Sequence, residues 1–179
     1  MKYVALLRGI GPGNPNMTNE KLRAVFEALG YSNVKSIISS GNIIFMSTET
    51  DETKLENQIQ NALNSQLGIP GQNLVRSQAE LQKIVDSRPF GKLEHGSRSY
   101  LLVTFFKQPS KIEFKLPYQP KDKPYKIVAA IDSAVFTVTD NPVVSTTDLM
   151  TWLEKQFTKD ITSRTWKTVE RVLKKLDEL

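Results

Sequence analysis

The fold is decided by residues 1–45, which read MKYVALLRGIGPGNPNMTNEKLRAVFEALGYSNVKSIISSGNIIF. An apolar run at 3–7 predicts a buried strand, and apolar residues at helical spacing predict a helix over 18–29. Residues 34–46 hold two β-rich runs separated by Gly41-Asn42, a combination that predicts a hairpin. A hairpin after the first helix makes neighbouring strands antiparallel, which argues against a doubly wound nucleotide-binding fold.

The next residues complete a repeating unit. A helix is predicted over 51–67, with Asp51 as its N-cap and Gly68 at its end, and a short strand is predicted over 73–76. The order βαββαβ is that of ferredoxin-like folds, in which helices cover an antiparallel sheet. We therefore predict an α+β protein.

The second half of the chain predicts a similar set of elements. They are a short helix opened by the capping box Ser77-Gln78-Ala79-Glu80, strands at 100–106, 125–131 and 134–138, and helices at 147–157 and 164–176. Thr162 or Ser163 is the predicted N-cap of the last helix. Two α+β units are expected, one at 1–78 and one at 79–179, and the second contains a basic proline-rich segment and a basic C-terminal helix.

Composition narrows the possible classes of protein. With 39% hydrophobic and 24% charged residues, the 179-residue chain resembles an average soluble protein. The absence of cysteine excludes disulfides, thiolate metal sites and a cysteine nucleophile, and it suits a cytoplasmic location. No apolar stretch approaches about 20 residues, so we expect no membrane span.

The positive charge is concentrated in one region. Residues 107–126 contain six lysines against Glu113 and Asp122, which gives this stretch alone +4 of the net +5. Phe114, Tyr118 and Tyr125 lie among these lysines, a mixture that can hold phosphates and stack on bases. Four prolines make an exposed, extended segment an equally natural interpretation.

The last predicted helix has two distinct sides. One side is basic and the other apolar, with the cations Arg164, Lys167, Arg171, Lys174 and Lys175 opposite Trp166, Val169, Leu173 and Leu176. We expect the apolar side to be core. The basic side is either a solvated face or a contact for nucleic acid or an acidic partner.

Several motifs taken together resemble the bacterial domain-of-unknown-function 1697 family. They are Tyr3-Val4-Ala5-Leu6-Leu7-Arg8-Gly9-Ile10, Leu22-Arg23, Leu29-Gly30-Tyr31, Ser39-Ser40-Gly41-Asn42-Ile43-Ile44-Phe45, Val75-Arg76, Glu80-Leu81, Pro89-Phe90 and Ser163-Arg164-Thr165-Trp166-Lys167-Thr168-Val169. The resemblance covers nearly the whole chain and implies an α+β fold of two ferredoxin-like units. It implies no known activity.

The chain departs from the family pattern at three places. It has Gly11-Pro12-Gly13-Asn14 where the family usually has Asn-Val-Gly-Gly, Arg88 where it has Asn before Pro-Phe, and Thr165 where it has Asn. If those asparagines hold a ligand in relatives, this protein has changed or lost that ligand.

No catalytic residue, metal ligand or cofactor site is assigned. His95 is the only histidine, no G-x-S-x-G elbow occurs, and the acidic residues lack calcium-loop spacing. These observations argue against a serine hydrolase and against zinc or calcium sites.

Three hypotheses about function remain open. The first is a non-catalytic binding module for a phosphate-bearing partner such as nucleic acid, with contacts at Lys121, Lys123, Arg164, Lys167 and Arg171. The second is a small-molecule enzyme or sensor for an anionic ligand, with a pocket at strand-end loops formed by Arg8, Asn14, Ser39, Ser40, Asn42, Arg164 and Trp166. The third is a structural or oligomer-forming protein.

Overall fold

The computed structural model describes residues 1–11, 13–38, 41–96, 99–131, 133–139 and 144–179. Contacts between residues divide the chain into two compact units. The first unit comprises Met1–Lys83 together with Arg171–Leu179, and the second comprises Ile84–Glu170. The domain boundary expected between residues 78 and 79 stays a prediction.

The first unit has the predicted ferredoxin-like order. Its elements are β1 (Lys2–Leu7), α1 (Asn19–Ala28), β2 (Ser32–Ser36), β3 (Asn42–Met46), α2 (Glu52–Leu67), β4 (Asn73–Ser77) and the start of α3 (Gln78–Asp86). The strands form one antiparallel sheet in the order β2-β3-β1-β4. The predicted helix caps are confirmed, since Thr18 accepts from the N–H of Lys21 and Asp51 from that of Lys54.

The core of the first unit lies between the sheet and the helices. Tyr3, Ala5 and Leu7 alternate along β1 and belong to the same buried cluster as Phe26 of α1 and Ile59 of α2. Each large apolar side chain buried in this way contributes about 1.5–3 kcal/mol relative to exposure. The period of two in the strand and of 3.6 in the helices thus brings both apolar faces into one core.

The C-terminal residues pack with this first unit. Leu173 and Leu176 are buried, and the Asp177 carboxylate accepts a 2.6 Å hydrogen bond from the side-chain amide of Gln78. The chain therefore returns to its first unit after building the second.

The second unit repeats the sheet of the first. Its elements are β5 (Tyr100–Phe106), β6 (Tyr125–Ile131), β7 (Ala134–Thr139), α4 (Val144–Gln156), β8 (Ile161–Thr165) and the start of α5 (Trp166–Asp177). The strand order β6-β7-β5-β8 is the counterpart of β2-β3-β1-β4. No helix follows β5, and residues 107–124, all of which are described, connect it to β6 without one.

The prediction that Arg164 opens the last helix is wrong. Residues Ile161–Thr165 form β8, which pairs antiparallel with β5, and Arg164 lies opposite Val103. The Thr165 hydroxyl accepts a hydrogen bond from the N–H of Thr168, so Thr165 takes the capping role expected of Thr162 or Ser163. Threonines suit both caps and strands, and pairing with β5 decides between the two.

Among the described helices, none combines the length and the apolar character needed to cross a lipid bilayer.

Candidate functional site

The end of β1 lies between the starts of β3 and β4. The N–H of Leu7 donates to the carbonyl of Gly41 at 2.7 Å, and the N–H of Arg8 donates to the carbonyl of Gln72 at 2.7 Å. Leu6 is opposite Asn42 in the β1–β3 register. The backbones of Arg8 and Asn42 therefore lie at the same edge of the first sheet, an arrangement that we call the strand-end junction.

Two glycines allow the main chains to approach closely at this junction. A Cβ on Gly71 would lie 2.3 Å from the carbonyl oxygen of Arg8. Gly41 has a φ of +73°, and a Cβ there would lie 2.8 Å from the Ile10 side chain. The strand-end junction is thus filled by closely packed main chain and by Ile10.

The asparagine side chains near the strand-end junction hold their own loops. Asn42 is fully buried, and its amide donates to the carbonyl of Ile37 at 3.1 Å, closing the loop between β2 and β3. Asn14 is exposed, and its side-chain oxygen accepts from the N–H of Asn16 at 2.9 Å in an Asx turn. Ser39 and Ser40 lie outside the described residues, and Arg8 is half-buried.

Arg164 and Trp166 belong to the packing of the second unit. The Arg164 guanidinium donates to the hydroxyl of Thr162 at 3.0 Å and to the carbonyl of Ser163 at 2.8 Å. Burial lowers its pKa to about 10. Trp166 packs edge-on against Phe90, with 5.2 Å between ring centroids, so two motifs of the family resemblance meet here.

His95 is also engaged locally in the second unit. Its Nδ1 accepts a 3.1 Å hydrogen bond from the N–H of Leu101, and its ring lies 4.4 Å from that of Tyr100. Burial lowers the pKa of His95. The imidazole thus fastens the loop that precedes β5.

Residues 107–126, here called the basic segment, cover part of the second sheet. Between residues 111 and 119 exposure alternates strictly along the chain. The half-buried side chains are those of Ile112, Phe114, Leu116 and Tyr118, which pack against the core that contains Leu149 and Leu153 of α4. Lys111 and Lys115 are exposed. A segment without a helix therefore covers this core, as a helix does in the first unit.

The aromatic rings of the basic segment are engaged with one another. Phe114 stacks on Tyr118 at 4.3 Å between centroids, and Tyr118 stacks on Trp152 of α4 at 6.0 Å. Pairs of this kind contribute about 0.5–1.5 kcal/mol beyond the area that they bury. The inward rings stabilise the fold, whereas the outward lysines meet the solvent.

The lysines near the end of the basic segment differ in their surroundings. Lys121 and Lys126 are exposed. Lys123 lies 2.7 and 2.8 Å from the two carboxylate oxygens of Asp148, and this contact lowers the pKa of Asp148. Lys123 therefore anchors the basic segment to α4.

The exposed face of α5 carries three further cations. Lys167, Arg171 and Lys174 are exposed and follow one another at spacings of four and three residues, which places them on one face of the helix. Val169, Leu173 and Leu176 on the other face are buried, as predicted. Lys175 is paired with Glu178. We call Lys167, Arg171 and Lys174 the α5 stripe.

Sequence reasoning missed a cluster of charged side chains in the first unit. Arg76 of β4 is only 5% exposed, and its Nη1 lies 3.7 Å from a carboxylate oxygen of Glu56 and 3.9 Å from one of Glu52. The N–H of Ser77 donates to both Glu52 and Glu80 at 2.9 Å. The capping box in the sequence points to Glu80 but not to Glu52 or Glu56. Arg76 lies in a predicted core strand, and a buried arginine needs carboxylate partners, so its position was the signal that could have led to these two glutamates.

Comparison with known proteins gives a family and a fold. A model of the family described as "Protein of unknown function (DUF1697)" matches residues 1–136. A solved structure of a conserved bacterial protein from Streptococcus pneumoniae is 20% identical in sequence, with a TM-score of 0.71 over 98% of each chain. That likeness supports the α+β fold. No curated protein matches the sequence significantly. The family match extends over most of the chain, which therefore belongs to the DUF1697 family.

Proposed function

We propose that this protein is a non-catalytic binding module for a phosphate-bearing polymer, nucleic acid above all. The single observation that carries the proposal is the alternation within the basic segment. It turns Lys111 and Lys115 towards the solvent while Phe114 and Tyr118 are held against the core. Cations on an outward face attract phosphates and release their counterions on binding.

The same alternation supports a particular mode of recognition. Base stacking needs an aromatic face that the partner can reach, and Phe114, Tyr118 and Trp152 are stacked among themselves. Contacts from lysine to phosphate carry no direct sequence information. The proposed binding is therefore tolerant of sequence and steeply dependent on salt.

The α5 stripe supplies a second set of candidate contacts. Lys167, Arg171 and Lys174 lie on one helix, where a rise of about 1.5 Å per residue spreads them over roughly 10 Å. Of the residues expected from sequence, Lys121, Lys167 and Arg171 remain contacts in this proposal because all three are exposed. Lys123 and Arg164 do not, since the first anchors the basic segment and the second is hydrogen-bonded within β8.

Fluorescence anisotropy of labelled single-stranded RNA and DNA tests the proposal. For four phosphate contacts, raising the salt from about 50 to about 200 mM should weaken binding about 50-fold. The double variant K115E/K121E removes two contacts of the basic segment, and K167E/R171E removes two of the α5 stripe. Each should reduce the slope of log affinity against log salt by about 1.4.

A matched control distinguishes binding at these particular residues from a general effect of net charge. K21E/K83E changes the net charge by the same amount at two exposed lysines of the first unit, and it should bind nearly as the wild type does once the salt is raised. Absence of wild-type binding at low salt rejects the proposal. Equal loss in all three double variants would also reject it, because net charge would then explain the binding.

A further inference from the structure

Two carboxyl groups meet where α2 and α3 begin. Glu52 is the first residue of α2, and Glu80 lies in the first turn of α3. Both accept a hydrogen bond from the single N–H of Ser77, each at 2.9 Å, so a carboxylate oxygen of each glutamate lies against the same donor. Two carboxyl groups held this way can bind each other directly only when one of them carries a proton, since a carboxylate has none to donate.

The surrounding charges also call for such a proton. Arg76 is the cation beside this pair, and its nearer carboxylate partner is the buried Glu56, which also accepts from the N–H of Val75 at 2.9 Å. One guanidinium cannot balance three carboxylates held together in a partly buried place. Protonating one carboxyl reduces the excess negative charge.

Among the residues that the structure describes, the remaining polar groups around the pair add no second cation. The Tyr3 hydroxyl of β1 donates to the carbonyl of Glu49. Burial, and then the charges of Glu52, Glu49 and Glu80, raise the pKa of Tyr3. The Glu49 carboxylate, which precedes α2, is paired with Lys54. Tyr3 thus remains neutral and leaves the charge of the pair unchanged.

Burial acts on both glutamates in the direction of a higher pKa, whereas the contact between the two carboxyls raises the pKa of Glu52 and lowers that of Glu80. Burial, and then the contact with Glu80, raise the pKa of Glu52 to about 8. Burial alone would raise the pKa of Glu80, but the hydrogen bonds from Glu52 and Ser77 outweigh it and lower that pKa. Glu52 is therefore the group that keeps the proton in neutral solution.

We propose that Glu52 and Glu80 share one proton that fastens the first turn of α3 to the first turn of α2, and that losing this proton releases the contact. The pair is then a latch that closes in neutral solution and opens in mildly alkaline solution. Above the opening pH, two adjacent carboxylates compete for the single N–H of Ser77, and their repulsion separates the helix starts.

Infrared spectroscopy of the full chain in heavy water tests whether the proton is present. The wild type at neutral pH should show the carbonyl band of one protonated carboxyl, and the band should disappear with a midpoint near pH 8. E52Q should remove the band, and E80Q should lower the pH at which it disappears, because Glu52 then loses the neighbouring carboxyl that raises its pKa. E27Q, at an exposed glutamate of α1, should leave the band and its midpoint unchanged. Absence of the band in the wild type, its persistence in E52Q, or an unchanged midpoint in E80Q would overturn the proposal.

Amide hydrogen exchange tests the latch itself. Raising the pH from about 7 to about 9 should lower the protection factors of Ser77 and the first turn of α3 in the wild type, after correction for intrinsic rates. E52Q should keep that protection at both pH values, because its amide donates to Glu80 without titrating. Equal pH dependence in the wild type and E52Q would show that the proton does not hold α3.

Discussion

At the scale of single residues, Asn42 shows that a structural role and a ligand-binding role can favour the same residue. It was a predicted ligand contact because an amide at a strand end is well placed to bind a ligand. A buried amide that closes a loop requires the same residue at the same place. Sequence alone could not distinguish these roles, since the difference lies in the carbonyl of Ile37 that the side chain reaches.

Replacing Asn42 with alanine should destabilise the protein by about 1–3 kcal/mol, because the buried carbonyl of Ile37 loses its partner. The midpoint of urea unfolding measures the effect. Asn14→Ala is the matched control, since Asn14 is exposed and holds only an Asx turn. Equal unfolding midpoints for the two variants would contradict the structural role of Asn42.

At the scale of secondary-structure elements, strongly periodic segments were predictable and short polar ones were not. The sequence places β5 and β6 at the residues where they are found, because their apolar and β-branched residues form clear runs. The strand β8 reads Ile-Thr-Ser-Arg-Thr and has no such run. It is a strand because β5 offers it an unpaired edge, and that information is not local.

The basic segment is a second example of structure that depends on residues distant in the sequence. Its mixture of lysines and aromatic residues predicted charges and rings on one surface. Within 111–119 exposed and half-buried residues alternate, and the half-buried rings pack against the core while the lysines are exposed. The sequence shows which residue types are present. Which of them face the core depends on the second unit, against whose core Phe114 and Tyr118 pack.

The alternation predicts a sharp contrast between neighbouring substitutions. Phe114→Ala should lower stability by about 1–3 kcal/mol, less than the 3–5 kcal/mol typical of a fully buried phenylalanine, because Phe114 is only half-buried. Lys115→Ala should change stability by less than about 0.5 kcal/mol. Thermal unfolding of the two variants provides the comparison, and a loss with Lys115→Ala as large as that with Phe114→Ala would contradict the alternation.

At the scale of the whole molecule, stability should be greatest in mildly acidic solution. The pKa of Glu52 is raised from 4.5 to about 8 in the folded state, so folding takes up a proton between these values. Stability should fall as the pH rises through this range, by at most about 1.4 kcal/mol per pH unit. Glu80 and Asp148 have lowered pKa values, so the stability that they contribute is lost as the pH falls through those lowered values.

Urea unfolding midpoints measured from about pH 3 to about pH 9 should therefore pass through a maximum near pH 5. E52Q removes the titrating group and should flatten the alkaline side while leaving the acidic side as it is. A midpoint that rises steadily from pH 5 to pH 8 would contradict the assigned role of Glu52.

The return of Arg171–Leu179 to the first unit has a consequence for biosynthesis. A ribosome releases the chain from its amino terminus, so β1 to β4 emerge well before Leu173 and Leu176, which are buried in the finished protein. The first unit therefore lacks these two leucines until all of the second unit has been translated. During that interval the apolar surface that packs with them in the finished protein is exposed in each nascent chain.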